Sequence, residues 1–195
     1  MNDAASSLLE LLGMLVTSPH TLALFALLVA AGVIDYRTMR IPNWLTVGGI
    51  LVGLLSSTLS TGRPLDGFLG ASAGMAVGLA VLLPFYALRV MGAGDVKLMA
   101  AIGAFLGFPA ILYAVLFTFI VGGVAAVAFA VSHKVSRRMA DNLGAIAMSM
   151  ALAAMTRTSP AASLKQGGSI GKLPYAISIG IGTTAFVVAR QLGFA

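Results

Sequence analysis

The 195-residue sequence contains no cysteine, which excludes disulfides, thiolate zinc sites and a cysteine nucleophile within these residues. Charge is also scarce: Asp, Glu, Lys and Arg together make up 9% of the residues, whereas 59% are hydrophobic. The mean hydropathy is +1.00. Ordinary soluble domains carry about 25% charged residues. The composition therefore predicts an integral membrane protein.

The few charges are unequal in sign, with twelve basic and six acidic residues and a net charge of +6. In a soluble chain this excess would point to nucleic acid. Here the basic residues flank apolar runs, and cytoplasmic loops of membrane proteins are enriched in Lys and Arg. We therefore expect membrane lipid, and no nucleic acid, as a partner.

The apolar runs predict an all-α polytopic protein with about six transmembrane helices in a single membrane-embedded domain, residues 1–195. Residues 1–18 carry two acidic residues and no basic one, so they are interpreted as an uncleaved lead-in rather than a signal peptide. Residues 132–172 are predicted to form a cytoplasmic or interfacial loop, in which residues 142–155 are too short to span and lie along the membrane. The predicted helices occupy about residues 20–35, 44–60, 67–88, 95–108, 110–131 and 174–189.

Local signals refine these helices. Ser18 is expected to cap the first helix and Asn43 the second, because short polar side chains accept hydrogen bonds from a helix's first turn.

Residues 96–108 reach only about 20 Å of a hydrocarbon core about 30 Å thick. Either Pro109 kinks a longer helix, or the fourth helix starts below the membrane surface in a wetted cavity. The third helix has a predicted close-packing face at four-residue spacing, formed by Gly70, Gly74 and Gly78.

Two aspartates stand at the ends of apolar runs, where a carboxylate is costly and by default functional. Asp35 ends the first predicted helix, and Asp95 begins the fourth in the stretch Gly92-Ala93-Gly94-Asp95. If the N-terminus lies outside, the cytoplasmic side holds ten basic residues and the outer side two. This topology brings both aspartates to the cytoplasmic face.

Two carboxylates at equal depth on different helices suit aspartyl proteolysis. If they approach within hydrogen-bonding distance, repulsion between their charges leaves the pair sharing one proton near neutral pH. The ionised carboxylate then takes a proton from the attacking water, while the protonated one stabilises the developing oxyanion. Gly92 and Gly94 are expected to let the backbone turn tightly and admit an extended substrate beside Asp95.

The residues at both aspartates resemble those of a known family. Gly92-Ala93-Gly94-Asp95 matches the GxGD motif of intramembrane aspartyl proteases. Asp35 with the following connector resembles the first-aspartate region of type IV prepilin peptidases, and the chain is similar to their short CpaA/TadV-type members, which process Flp pilins. The resemblance implies Asp35 and Asp95 as catalytic residues, with no metal or cofactor. It also implies substrate-binding or motif-supporting roles for Gly92, Gly94, Lys97, Arg40, Pro42 and Asn43.

The family further implies a substrate and a location. Prepilins and pseudopilins carry a short basic leader, which such enzymes remove at the cytoplasmic face of the bacterial inner membrane. Larger members also have an N-terminal region with paired CxxC motifs and N-methylate the new terminus. This sequence has no cysteine and no room before its first helix, so we expect it to lack methyltransferase activity. A homodimer remains possible.

Other interpretations stay open at this point. A small proton- or cation-coupled transporter could also use two intramembrane carboxylates, and a secretion-system scaffold would explain the glycine-rich helix faces. Presenilin-like proteases share the GxGD motif but not the connector, and a metal role lacks a nearby histidine or third carboxylate. Individually, Asp95 could cap the fourth helix beside Lys97 or Arg89, and Asp35 could be a helix end neutralised by Arg37 or Arg40.

Overall fold

The computed structural model describes residues 18–88, 91–132 and 175–193, together with the single positions 144 and 148. The predicted lead-in before residue 18 and nearly all of the predicted loop lie outside the described residues. The described residues form helices and no strand, which confirms the all-α fold. In chain order the helices are α1 (Pro19–Thr38), α2 (Asn43–Ser60), α3 (Pro64–Ala87), α4 (Ala93–Leu106), α5 (Ala110–Ser132) and α6 (Tyr175–Gln191).

Four of these helices are long and apolar enough to cross a membrane: α1, α2, α3 and the Ala110–Ala128 part of α5. The protein is therefore an integral membrane protein, as its composition predicts. The other two helices are shorter, with 14 residues in α4 and 17 in α6.

Helix α4 is the centre around which the other helices pack. Ten of its 14 residues are buried, including Leu98, Met99 and Ile102. The helix ends at Leu106, and a new helix begins at Ala110 after Gly107, whose φ is +70°. Proline at position 109 therefore separates two helices and does not kink one long helix. A helix of 14 residues is only about 21 Å long, which suits an element enclosed by longer neighbours.

Small residues let α3 lie directly against α4. A Cβ added to Gly78 would lie 2.6 Å from the carbonyl oxygen of Met99, and one added to Gly74 would overlap the carbonyl oxygen of Gly103. Backbone atoms cannot move aside as a flexible side chain does, so glycine is required at both positions. A Cβ at Gly70 would have no such neighbour within 4 Å. The predicted packing face is thus confirmed at two glycines and does not extend to the third.

At the end of the bundle far from Asp35, His20 joins three helices. Its Nε2 lies 3.0 Å from the carbonyl oxygen of Phe105 in α4, and its Nδ1 lies 3.0 Å from the hydroxyl of Ser56 in α2. Asp35 follows His20 by 15 residues on the same helix, a rise of about 22 Å. The histidine therefore supports the packing of α1 at a distance from the aspartates.

The connector between α1 and α2 differs from its predicted form. Helix α1 continues one turn beyond position 35 to Thr38, because no helix-breaking residue precedes the left-handed Met39, whose φ is 51°. Pro42 occupies the N-cap position of α2, so Asn43 is the first helical residue and the prediction that it caps α2 is wrong. Ser18 stands at the N-cap of α1 as predicted, but its side chain makes no capping hydrogen bond.

Candidate active site

Asp35 is held in the interior by the apolar stripe of its own helix. Leu24, Leu28 and Ala31 are buried at spacings of three to four residues, which places them on one face of α1. Asp35 continues the same face in the last turn and is only 6% exposed. Its Oδ2 accepts a hydrogen bond of 3.2 Å from the backbone N–H of Ala176, at the start of α6.

Asp95 is the third residue of α4 and is 7% exposed. Its Oδ2 accepts a hydrogen bond of 3.1 Å from the backbone N–H of Gly92, just before the helix. A carboxylate here is favoured by the partial positive charge at a helix N-terminus. Asp95 is therefore not the N-cap of α4, a position that Gly92 occupies, but its carboxylate accepts the N–H of that residue. Lys97 bonds to Asn43 and not to Asp95.

The two aspartates face the same part of the interior. They lie at the same end of the bundle, because Ile41, shortly after Asp35, packs against Gly94, the neighbour of Asp95. The phenol of Tyr175, the first residue of α6, lies within reach of the Asp95 charge. Within the described residues neither aspartate forms an ion pair, since the pair found there joins Arg63 and Asp66. Three helices, α1, α4 and α6, thus bring their ends together around two buried carboxylates.

The connector after α1 and the glycine motif before α4 form one unit. Lys97 Nζ donates a hydrogen bond of 2.8 Å to Asn43 Oδ1. Ile41 is buried and packs against Gly94, where an added Cβ would lie 3.0 Å from the Ile41 Cβ. The two stretches that carry the family resemblance are therefore in direct contact.

The structure changes the reason for the two glycines of the motif. Gly92 has a φ of −77°, which any residue adopts, and Gly94 lies inside α4. The described residues with positive φ do not include either one, so neither position needs glycine for its own backbone angles. The close approach of Ile41 explains Gly94 instead. A Cβ at Gly92 would lie 3.2 Å from Asp95 Oδ2 and would crowd the carboxylate.

The remaining predicted residues support the connector. Pro42 occupies the N-cap position of α2, where its extended backbone starts the helix. Arg40 is exposed, and its carbonyl oxygen accepts a hydrogen bond of 2.9 Å from the Thr38 hydroxyl. Its side chain lies outside the buried cluster.

Tyr175 and Ala176 do not stand out in the sequence. Tyr175 belongs to no motif, and Ala176 acts through its backbone N–H, which every residue but proline has. One signal was available, because the predicted topology starts the last helix at the same membrane face as both aspartates.

An apolar groove lies between α1 and α6 and has a volume of about 790 Å³. It is lined along α1 from Phe25 to Arg37 and along α6 from Ala176 to Ala185. One end therefore reaches the turn that carries Asp35. A second cavity of about 580 Å³ includes His20 and lies at the other end of α1. Among the described residues no group of three or more His, Cys, Asp or Glu is placed to hold a metal ion.

Residues 22–127, more than half of the chain, match the sequence model of the type IV leader peptidase family. The chain belongs to the type IV leader peptidase family. The matched range contains Asp35, Asp95, the connector and the glycine motif, which confirms the family seen in the sequence. It ends before α6.

Relatives of this chain include two proteins named prepilin leader peptidase/N-methyltransferase. The one from Dickeya chrysanthemi is 35% identical over 119 residues, which cover 57% of this chain and 41% of the relative. The one from Aeromonas hydrophila is 39% identical over 102 residues, 49% of this chain and 34% of the relative. The chain thus spans about two-fifths of the length of the curated relatives it matches. No solved structure gave a significant match.

Proposed function

We propose that this leader peptidase is a membrane aspartyl endopeptidase that removes the short basic leader of Flp-like prepilins or pseudopilins at the cytoplasmic face of the bacterial inner membrane. The observation that carries the proposal is the burial of both Asp35 and Asp95, on two helices joined at this end by the contact of Ile41 with Gly94. The family match and the names of the relatives support the substrate class.

The mechanism uses one proton shared by the two carboxylates, because both do not ionise readily when they are close together. The ionised carboxylate takes a proton from a water molecule as its oxygen attacks the peptide carbonyl carbon. The protonated carboxylate donates a hydrogen bond to the developing oxyanion. Collapse of the tetrahedral intermediate breaks the C–N bond, and the pair protonates the leaving amine. Either aspartate serves as the acid in this scheme.

The apolar groove provides a place for the hydrophobic helix that follows the leader. A basic leader stays on the cytoplasmic side while this helix sits in the bilayer, so the scissile bond must lie at the level of the aspartates. The floor of the groove includes Gly32 and Gly180, and a Cβ added to either would meet only van der Waals neighbours at 3.9 Å. Small residues are what helix packing in membranes requires. A helix in the groove would end beside Asp35.

We propose peptidase activity alone for this chain. The relatives carry N-methyltransferase in their names, but the aligned residues make up only about two-fifths of them. The sequence has no cysteine with which to form the paired CxxC motifs of the larger members.

The test is cleavage by the purified chain in lipid nanodiscs, with a full-length Flp-type prepilin and the methyl donor S-adenosylmethionine. We expect mass spectrometry to find the free leader and a mature pilin with an unmodified N-terminus. An intact precursor after prolonged incubation would reject the peptidase assignment. A mature pilin that is heavier by one methyl group would reject only the restriction to peptidase activity.

A further inference from the structure

Helix α6 lies outside the residues that match the family, which end at position 127, yet its first turn enters the candidate site. Ala176 is 1% exposed, and its backbone N–H donates to Asp35 Oδ2 at 3.2 Å. The neighbouring Tyr175 lies within reach of the Asp95 charge. One helix end is therefore next to both carboxylates.

The hydrogen bond to Asp35 uses a donor that α6 leaves free. The first N–H groups of an α-helix have no acceptor within the helix, and a buried one is costly without a partner. The carboxylate supplies that partner at the positive end of the α6 dipole. The contact thus satisfies a buried donor and fixes the direction in which the carboxylate points.

The position of this donor is set by packing along the rest of α6. A Cβ added to Gly182 would lie 2.5 Å from Thr118 Cα, so α6 rests directly on the backbone of α5. On its other side, Gly180 faces Leu28 and Ile177 faces Gly32 of α1 at van der Waals distance. Both neighbours hold α6 so that its first turn meets Asp35.

We propose that Ala176 is a positioning residue of the leader peptidase: its N–H holds Asp35 in the orientation that faces Asp95, and the site is complete only with α6 in place. The inference rests on the proposed function, and it adds a third helix to the two that carry the aspartates. No side chain at position 176 takes part, so the role belongs to the backbone.

A backbone substitution tests this role most cleanly. Ala176→Pro would remove the donor, but it would also force a ring into a position that is 1% exposed. Replacing residue 176 by lactic acid, introduced with a chemically acylated suppressor tRNA during cell-free synthesis into nanodiscs, changes the N–H to an ester oxygen and keeps the side chain. The matched control is the α-hydroxy analogue of serine at Ser178, in the same turn but facing α5 and outside the lining of the groove.

With full-length prepilin as substrate, we expect the ester at 176 to lower kcat by about tenfold or more, because a hydrogen bond to a charged group is lost. KM should change less than twofold, since this N–H is already bonded to Asp35 and is not free to bind the substrate. The ester at 178 should leave both constants within twofold of wild type.

Equal kcat values for the two esters, whether both normal or both low, would overturn the positioning role. Failure of wild type to cleave any prepilin would instead overturn the proposed function, and the inference with it.

Discussion

At Gly94 the connector after α1 approaches α4 as closely as glycine allows. An added Cβ would lie 3.0 Å from Ile41 Cβ and 3.4 Å from the Ile41 backbone nitrogen. Because Ile41 is buried and its Cβ is fixed to the backbone, it cannot turn away. A methyl group at position 94 would therefore push the connector, and with it the end of α1 that carries Asp35, away from Asp95.

We expect Gly94→Ala to destabilise the protein by about 1–3 kcal/mol and to slow prepilin cleavage, as overpacking does in other buried sites. The control is Gly48→Ala, at a helical position where an added Cβ meets nothing within 4 Å. That change should be neutral or slightly stabilising. Thermal unfolding in detergent and the cleavage rate measure both effects. Identical behaviour of the two variants would contradict this account of Gly94.

Single residues were predictable from the sequence where their side chains carry the signal. Asp35 and Asp95 are carboxylates at the ends of apolar runs, and that pattern is visible without a structure. Gly94 was also singled out in the sequence, but as a residue that allows a tight turn. Its contact with Ile41 was not predicted, because a sequence does not show which backbone a glycine approaches. No signal in the sequence pointed to Ala176, since its contribution is a backbone N–H.

At the scale of the helices, the groove between α1 and α6 is the element that links the site to its proposed substrate. Its rim includes Val33 and Ile181, which are 47% and 54% exposed. Because the chain lacks cysteine, single cysteines can be introduced without a background. The groove is therefore directly accessible to cross-linking.

We expect Val33→Cys and Ile181→Cys, each combined with Asp95→Asn to keep the precursor intact, to cross-link to a cysteine in the pilin helix. Leu51→Cys is the control, because Leu51 is 63% exposed but lies on α2, outside the groove. The cross-link is formed in membranes with a short bismaleimide, and electrophoresis measures the cross-linked product. Equal cross-linking at all three positions, or cross-linking at Leu51 alone, would place the pilin helix elsewhere.

Among the described residues, the four long helices and their order were predictable because apolar runs of sufficient length have few alternatives in a membrane. The ends of the helices were less predictable. Helix α1 passes its predicted end by a turn, since polar residues such as Arg37 are compatible with a helix that leaves the bilayer. Asn43 does not cap α2, because Pro42 occupies the N-cap position and Asn43 is already helical. Its amide oxygen accepts a hydrogen bond from Lys97, 54 residues away in sequence.

For the whole molecule, the orientation in the membrane decides where cleavage takes place. Both aspartates lie where the ends of α1, α4 and α6 meet, and the loop between α2 and α3 is at the other end of α2. The distribution of basic residues predicts that the aspartates face the cytoplasm and that this loop faces outward.

We expect Gly62→Cys, in the loop between α2 and α3, to react with a membrane-impermeant maleimide in intact spheroplasts. Thr38→Cys, at the end of α1, should react only after permeabilisation. Both residues are exposed, so a difference in their labelling reports the side of the membrane and not the burial of the side chain. The reverse pattern would place the candidate site on the outer face and contradict the proposed access of the leader.

The central claim is that the two aspartates act as one catalytic pair, and its most direct test is the cleavage rate of purified Asp35→Asn and Asp95→Asn with full-length prepilin. Asp66→Asn is the matched control, because the Asp66 side chain is 61% exposed and pairs with Arg63 away from the site. We predict that each dyad variant, folded and present at the same concentration, loses about a hundredfold or more of the wild-type rate. The control should cleave at the wild-type rate. Cleavage at that rate by either Asp35→Asn or Asp95→Asn would contradict the account.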